Sequence, residues 1–265
     1  MDWPASVGRS VHEALDSTNA EALRRIAGGE TGPFWILAGR QTMGRGRRGR
    51  GWSSLPGNFY ASYAFTPPGG PAEAALRSFT AALALHDALV DATGRPQLFA
   101  LKWPNDVLLS GHKLAGILLE TGAGPRHAPV ALVIGIGVNL AASPDAAALE
   151  AGAVPPISLA EATGISVPPA EFLDLLAPRF EHWEARLRQE GFGPIRAAWL
   201  ARAARIGEEV TARLPGREIR GIFRSLDESG AILLDTASGR VALPAAEIFF
   251  TPQILSGETH HAARD

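Results

Sequence analysis

The chain contains no cysteine and only two methionines in 265 residues. Disulfide scaffolding, thiolate nucleophiles and thiolate metal sites are therefore excluded. No apolar run approaches the roughly 20 residues that a membrane-spanning helix needs. The opening Met1-Asp2-Trp3-Pro4 lacks the basic and apolar regions of a signal peptide, so a cytoplasmic location is expected. Neither sign of charge is in excess. The 25 basic and 27 acidic residues leave a formal net charge of -2, whereas a nucleic-acid binder that draws on counterion release usually carries a basic surplus. The seven histidines are scattered, with no spacing that suggests a zinc site.

Against this even background one segment is dense in charge. Gly44-Arg45-Gly46-Arg47-Arg48-Gly49-Arg50-Gly51-Trp52 places four arginines and four glycines in nine residues. Glycines let main-chain N–H groups approach an anion closely, and guanidinium forks donate bidentate hydrogen bonds at any working pH. Arg/Gly tracts also occur in disordered RNA-binding tails and solvated loops. With 46% hydrophobic residues the chain can bury a large core, and a defined anion site on a folded domain is the expectation.

The surrounding pattern predicts α+β architecture, a mixed or antiparallel sheet backed by helices. Thr18 and Glu21 have capping-box spacing, which predicts a helix over 20–27 ending at Gly28-Gly29. Apolar runs predict strands at 34–38, 59–65, 98–101, 107–109, 113–121 and 130–138, and an Ala/Leu-rich helix spans 72–92. The Pro/Ala-rich stretch 144–156 reads as a connection with a partial helical turn. Helices over 170–189 and 192–204 follow, with Phe172, Phe180, Trp183 and Trp199 as core rather than ligand-stacking residues. From Glu209 on, short strands at 210–214, 218–226, 231–235 and 241–243 predict a small barrel. The expected division is 1–205, 206–255 and a loose tail 256–265.

Ser17-Thr18-Asn19, the Gly44–Trp52 loop, Lys102-Trp103-Pro104-Asn105-Asp106, Lys113-Leu-Ala-Gly116 and Gly135-Ile-Gly-Val-Asn139 occur in an order and spacing that resemble the biotin protein ligases. The resemblance implies a class II synthetase-like catalytic domain followed by an SH3-like barrel. It also implies the activity: biotin and ATP react to biotinyl-5′-AMP, and biotin passes to one lysine of a biotin carboxyl carrier domain. By the same resemblance Ser17, Thr18, Asn19 and Gln41 form the ureido-binding set, and Gly44, Arg45, Gly46 and Arg47 cover biotin and its carboxylate. Gly116 lets the main chain approach biotin. Lys113 bridges carboxylate and α-phosphate as the principal catalytic group, with Arg47 beside it. Arg48, Arg50, Trp52, Lys102, Asn105, Asp106 and Asn139 form the nucleotide side, Trp52 stacking on adenine.

Joining a carboxylate to the α-phosphorus of ATP brings two anions together, so non-titrating cations are the residue types this chemistry requires. Read without the resemblance, Lys113 is a solvated lysine after a hairpin turn, and Ser17 and Thr18 are ordinary helix caps. Mg²⁺ is expected with ATP. Asp106 is either its ligand or the partner of Lys102 or Lys113, which the sequence leaves open. Only sixteen residues precede Ser17, so a DNA-binding repressor domain is not expected; neither DNA nor a membrane is an expected partner, and a homodimer stays open. The competing readings are a lipoate-type ligase, a non-catalytic biotin binder and a nucleic-acid-binding module.

Overall fold

The computed structural model describes residues 2–124, 130–145 and 152–250. Strands β1 (Gly8–Leu15), β2 (Phe34–Gln41), β3 (Phe59–Phe65), β4 (Phe99–Lys102), β5 (Asp106–Leu109), β6 (His112–Ala123) and β7 (Val130–Val138) form one seven-stranded sheet. Their order is β1-β2-β3-β7-β6-β5-β4. Only β1 and β2 run parallel; the other neighbours are antiparallel, so the sheet is mixed, as expected.

Both faces of this sheet are covered, which explains the continuous apolar runs in its central strands. Phe34 and Ile36 of β2 pack under α1 (Thr18–Ala27) with Ala22, Ile26 and Val133. The alternate residues Trp35 and Leu37 point the other way. There they join the main core with α3 (Arg77–Thr93), α5 (Pro169–Glu190) and α6 (Phe192–Leu200). Tyr63 and Phe180 meet at 4.7 Å between ring centroids, and Phe59 and Phe172 at 5.1 Å. The helical aromatics are thus core, as their spacing predicts.

Several local expectations change. Ser17, not Thr18, caps α1: its hydroxyl accepts from the Ala20 N–H, and Glu21 pairs with Arg24 and Arg25 instead of closing a capping box. The helix expected over 72–92 is split at Leu76 into α2 (Pro71–Ala75) and α3. A genuine capping box sits elsewhere, at Ser158 and Glu161 of the short α4 (Leu159–Thr163). β1 has no predicted counterpart because its edge position leaves most of its residues at least partly exposed.

Beyond α6, strands β8 (Glu209–Leu214), β9 (Arg217–Leu226), β10 (Ile232–Thr236), β11 (Gly239–Leu243) and β12 (Glu247–Phe250) form an antiparallel sheet ordered β11-β10-β9-β8-β12. Among the described residues its end strands β11 and β12 are not laddered to each other, so the expected small barrel takes the form of an open five-stranded sheet. It leans on the first domain. Trp103 Nε1, buried, donates to Gly230 O at 3.0 Å. The tail expected at 256–265 lies outside the described residues, as does part of the 144–156 connection.

Candidate active site

One cavity of about 350 Å³ opens on the sheet face that carries α1. Its floor is the β6–β7 pair, where Gly116 lies opposite Gly137, and Gly135 follows two residues along the strand on the same face. These glycines clear the floor of side chains. A Cβ on Gly137 would lie 2.5 Å from the Trp52 ring, and one on Gly135 would collide with the Asn19 amide. Trp52 therefore covers the middle of the floor, at the distance only glycine permits.

The first turn of α1 and the end of β2 build a polar wall. Thr18 N–H donates to Gln41 Oε1 at 2.9 Å, and the Thr18 hydroxyl lies 3.2 Å from the same oxygen. Behind them, buried Ser62 on β3 contacts Thr18 Oγ1 at 2.7 Å and Asn19 Oδ1 at 2.5 Å. Asn19 Nδ2 in turn donates to Glu120 Oε2 at 2.7 Å. The Asn19 amide is thus committed inside the protein at both ends, while Thr18 and Gln41 line the cavity.

Cations gather at the opposite wall. The chain has just two lysines, Lys102 and Lys113, and both bind Asp106: Lys113 Nζ at 2.8 Å from Oδ1 and buried Lys102 Nζ at 3.5 Å from Oδ2. Burial acts to raise the Asp106 pKa, but Lys113 and Lys102 outweigh it and hold the carboxyl below its ordinary range. Burial lowers the Lys102 pKa, with Asp106 opposing. The β4–β5 turn puts this group in place: Asn105 donates to Ile117 O at 2.7 Å and accepts from Arg47 Nη1 at 3.2 Å. Arg47 is half-buried, and that burial lowers its pKa against the pull of Asp106, yet a guanidinium stays charged in a protein.

The Arg/Gly loop is folded on itself. Arg45 and Gly51 form an antiparallel bridge, and Trp52 N–H donates to Gly44 O at 2.9 Å. Gly44 is required there, since a Cβ would lie 2.8 Å from the Trp52 carbonyl oxygen. Arg45 pairs with Glu120 at 3.1 Å. Arg48, in the left-handed region at φ 57°, and Arg50 both pair with Glu247 of β12, at 3.1 and 2.6 Å.

The structure thus brings Ser17, Thr18, Asn19, Gln41, Arg45, Gly46, Arg47, Arg50, Trp52, Lys102, Asn105, Asp106, Lys113, Gly116 and Asn139 to one cavity. Gly44 and Arg48 stand just outside it, shaping and anchoring the loop. Asn139 donates to Ile157 O at 3.2 Å, tying down the segment before α4. Sequence reasoning missed Ser62, Glu120 and Glu247, which carry no local signature and arrive from distant strands. It noted Gly135 and Gly137 within a motif but gave them no role, although their two-residue spacing in a strand was a usable signal. For Mg²⁺ the fit is poor: each Asp106 oxygen faces a lysine, and no group of three potential metal ligands occurs among the described residues. No catalytic step is assigned to a protein-held metal.

Two family profiles match the chain: "Biotin/lipoate A/B protein ligase family" over residues 13–139 and "Biotin protein ligase C terminal domain" over 206–251. A biotin–[acetyl-CoA-carboxylase] ligase of Paracoccus denitrificans is 56% identical across 89% of this chain and 97% of its own length. Its counterpart in Mycobacterium tuberculosis is 32% identical, covering 88% and 85%. Among solved structures, the biotin protein ligase from Aquifex aeolicus in complex with biotin and ATP superposes with a TM-score of 0.75 at 26% identity, covering 91% of this chain and 97% of that one. The chain belongs to the biotin protein ligase family.

Proposed function

We infer that the chain joins biotin to ATP, forming biotinyl-5′-AMP and releasing pyrophosphate, and then transfers biotin to a lysine of a biotin carboxyl carrier domain, releasing AMP. One observation carries the assignment of roles: a single cavity has hydrogen-bonding side chains at one end, an apolar glycine-and-tryptophan middle, and Arg47, Lys113 and Lys102 at the other. Biotin matches it in sequence, with a polar ureido ring, an apolar body and a carboxylate. Thr18 and Gln41 would then meet the ureido ring, and the main chain at Gly116 and Gly137 the body, with Trp52 beside biotin in place of the expected stack on adenine.

In the first step the carboxylate oxygen attacks the α-phosphorus of ATP, and the bond to pyrophosphate breaks. Negative charge concentrates on the α-phosphoryl oxygens, where fixed cations stabilise the transition state without reorganising. Lys113 is the compact charge placed for this, and Arg47 is the fork beside it. In the second step the acceptor amine attacks the activated carbonyl, and AMP departs. The small C-terminal sheet supplies no covalent chemistry in this reading; it holds the Arg/Gly loop through Glu247 and supports docking of ATP or the carrier. Incubation with biotin, ATP, Mg²⁺ and a carrier domain tests the function. The acceptor should gain the mass of one biotinyl group; lipoate used in preference to biotin, or biotin binding without pyrophosphate release, would refute it.

Two expectations follow from the loop geometry. Because Glu247 holds both Arg48 and Arg50, Glu247→Gln should speed tryptic cleavage after these arginines several-fold in the free protein, and biotin with ATP should suppress that cleavage. Equal rates in variant and wild type would show that the clamp does not restrain the loop. Arg47→Ala should release biotinyl-5′-AMP prematurely and so label bystander proteins. The ligase itself should stay nearly unlabelled on its side chains, because its only two lysines are both held by Asp106. Mass spectrometry of both proteins reads this directly, and heavy modification at Lys102 or Lys113 would contradict it.

A further inference from the structure

We propose that Glu120 is a positioning residue that fixes the hydrogen-bond polarity of the biotin end of the site, acting on Thr18 through Asn19 and Ser62. The proposal rests on the placement of biotin's ureido ring at Thr18 and Gln41, and adds what orients those groups.

An ionised carboxylate offers no donor, so Glu120 Oε2, 2.7 Å from the Asn19 amide, draws the NH₂ end of that amide to itself. Leu118 O, another pure acceptor, lies on the same side at 3.4 Å. Asn19 Oδ1 is thereby turned toward Ser62 Oγ at 2.5 Å, and the one hydroxyl proton of Ser62 goes to it. Ser62 Oγ is then left to accept at its second contact, Thr18 Oγ1 at 2.7 Å, which takes the single Thr18 proton in preference to the longer 3.2 Å contact with Gln41 Oε1. With its proton given to Ser62, Thr18 Oγ1 presents lone pairs to the cavity. Beside it, Gln41 Oε1 is fixed by the Thr18 N–H at 2.9 Å, which leaves the Gln41 NH₂ to donate. One acceptor and one donor side by side match a ureido group, which has N–H beside C=O. The four residues come from three elements: Glu120 from β6, Asn19 and Thr18 from α1, Ser62 from β3.

Glu120→Gln removes the constraint at its source. A glutamine amide can donate as well as accept, so Asn19 can turn over, Ser62 can donate to Thr18, and the Thr18 proton then leaves Ser62 for the side of Gln41 Oε1 and the cavity, where it opposes the ureido N–H. A mismatched buried donor of this kind weakens binding by about 10-fold or more. Glu120 also holds Arg45 at the loop, so the experiment must separate the two routes. Steady-state pyrophosphate release is measured for wild type, Glu120→Gln, Thr18→Val and the double variant, with Ser62→Ala as an independent break in the chain that leaves the Arg45 pair intact. Expected are a KM for biotin about 10-fold higher in Glu120→Gln and in Ser62→Ala, with KM for ATP and kcat within twofold. In the Thr18→Val background Glu120→Gln should then change the biotin KM by less than twofold, because its effect passes through the missing hydroxyl. Additive effects would assign Glu120's role to Arg45 and overturn the proposal. So would an unchanged biotin KM in Glu120→Gln, a wild-type biotin KM in Ser62→Ala, or ATP and biotin KM values rising together. A wild-type protein that does not use biotin at all would instead overturn the functional reading.

Discussion

Lys113→Gln is expected to slow formation of biotinyl-5′-AMP by about 10²–10³-fold, or ~3–4 kcal/mol, with much smaller effects on biotin binding and on transfer from supplied biotinyl-5′-AMP. The substitution keeps length and removes charge. Lys113 Nζ lies on the cavity wall, 2.8 Å from Asp106 and 5.8 Å from the centre of the Trp52 ring. It is thus held by a buried carboxylate while part of it still faces the cavity. Charge matters most while the carboxylate and the α-phosphoryl oxygens approach each other, so the loss should fall on kcat for adenylation. In the proposed arrangement biotin would keep Thr18, Gln41 and the Arg/Gly loop in the ground state. Pyrophosphate release measured at saturating biotin and ATP provides the check, and a near wild-type rate would move the catalytic centre away from Lys113.

Asp106→Asn should produce the largest loss of stability. Lys102 is buried and Asp106 is the carboxylate that compensates it; taking away one member of a buried ion pair costs about 3–5 kcal/mol because the other charge remains. For a chain of this size that corresponds to a fall in Tm of roughly 10 °C. Lys102→Met provides the contrast. It removes the buried cation and leaves Asp106 paired with Lys113, so its fold should be far less affected. Calorimetry of the two variants decides the matter, and an Asp106→Asn Tm within 2 °C of wild type would show that Lys102 finds another partner. The pH dependence has a definite sign. Asp106 is held below its ordinary range in the fold, so its contribution is complete above the unfolded value of about 4 and is lost as pH falls through the lower folded value. Between pH 5 and 8 this group should add no slope to stability.

What could be read in advance was whatever is local in the chain. Strand β3 and the strand pair β6–β7 follow from apolar runs. The Arg/Gly loop and the Lys102–Asp106 block are contiguous, and their residue types state a need to neutralise anions. The α1 start was readable to within a residue or two, although Ser17 rather than Thr18 makes the cap. Elements that failed to show themselves are short or lie at a sheet edge, as with β1, α4 and β12, where burial is too partial to impose a period.

The sequence by itself determined the chemistry: the cations, the glycines that admit an anion to them, the family and the positions along the chain of the apolar strands. Only the tertiary structure decided which groups oppose one another. Asp106 turned out to be the shared partner of both lysines, a choice the sequence left open. Glu247 reaches the Arg/Gly loop from about 200 residues away in the chain, and Ser62 and Glu120 meet Asn19 from strands 43 and 101 residues distant. A hydrogen bond or ion pair depends on separation in space to within a few tenths of an ångström, and separation along the chain carries none of that information until the sheet has brought its strands together.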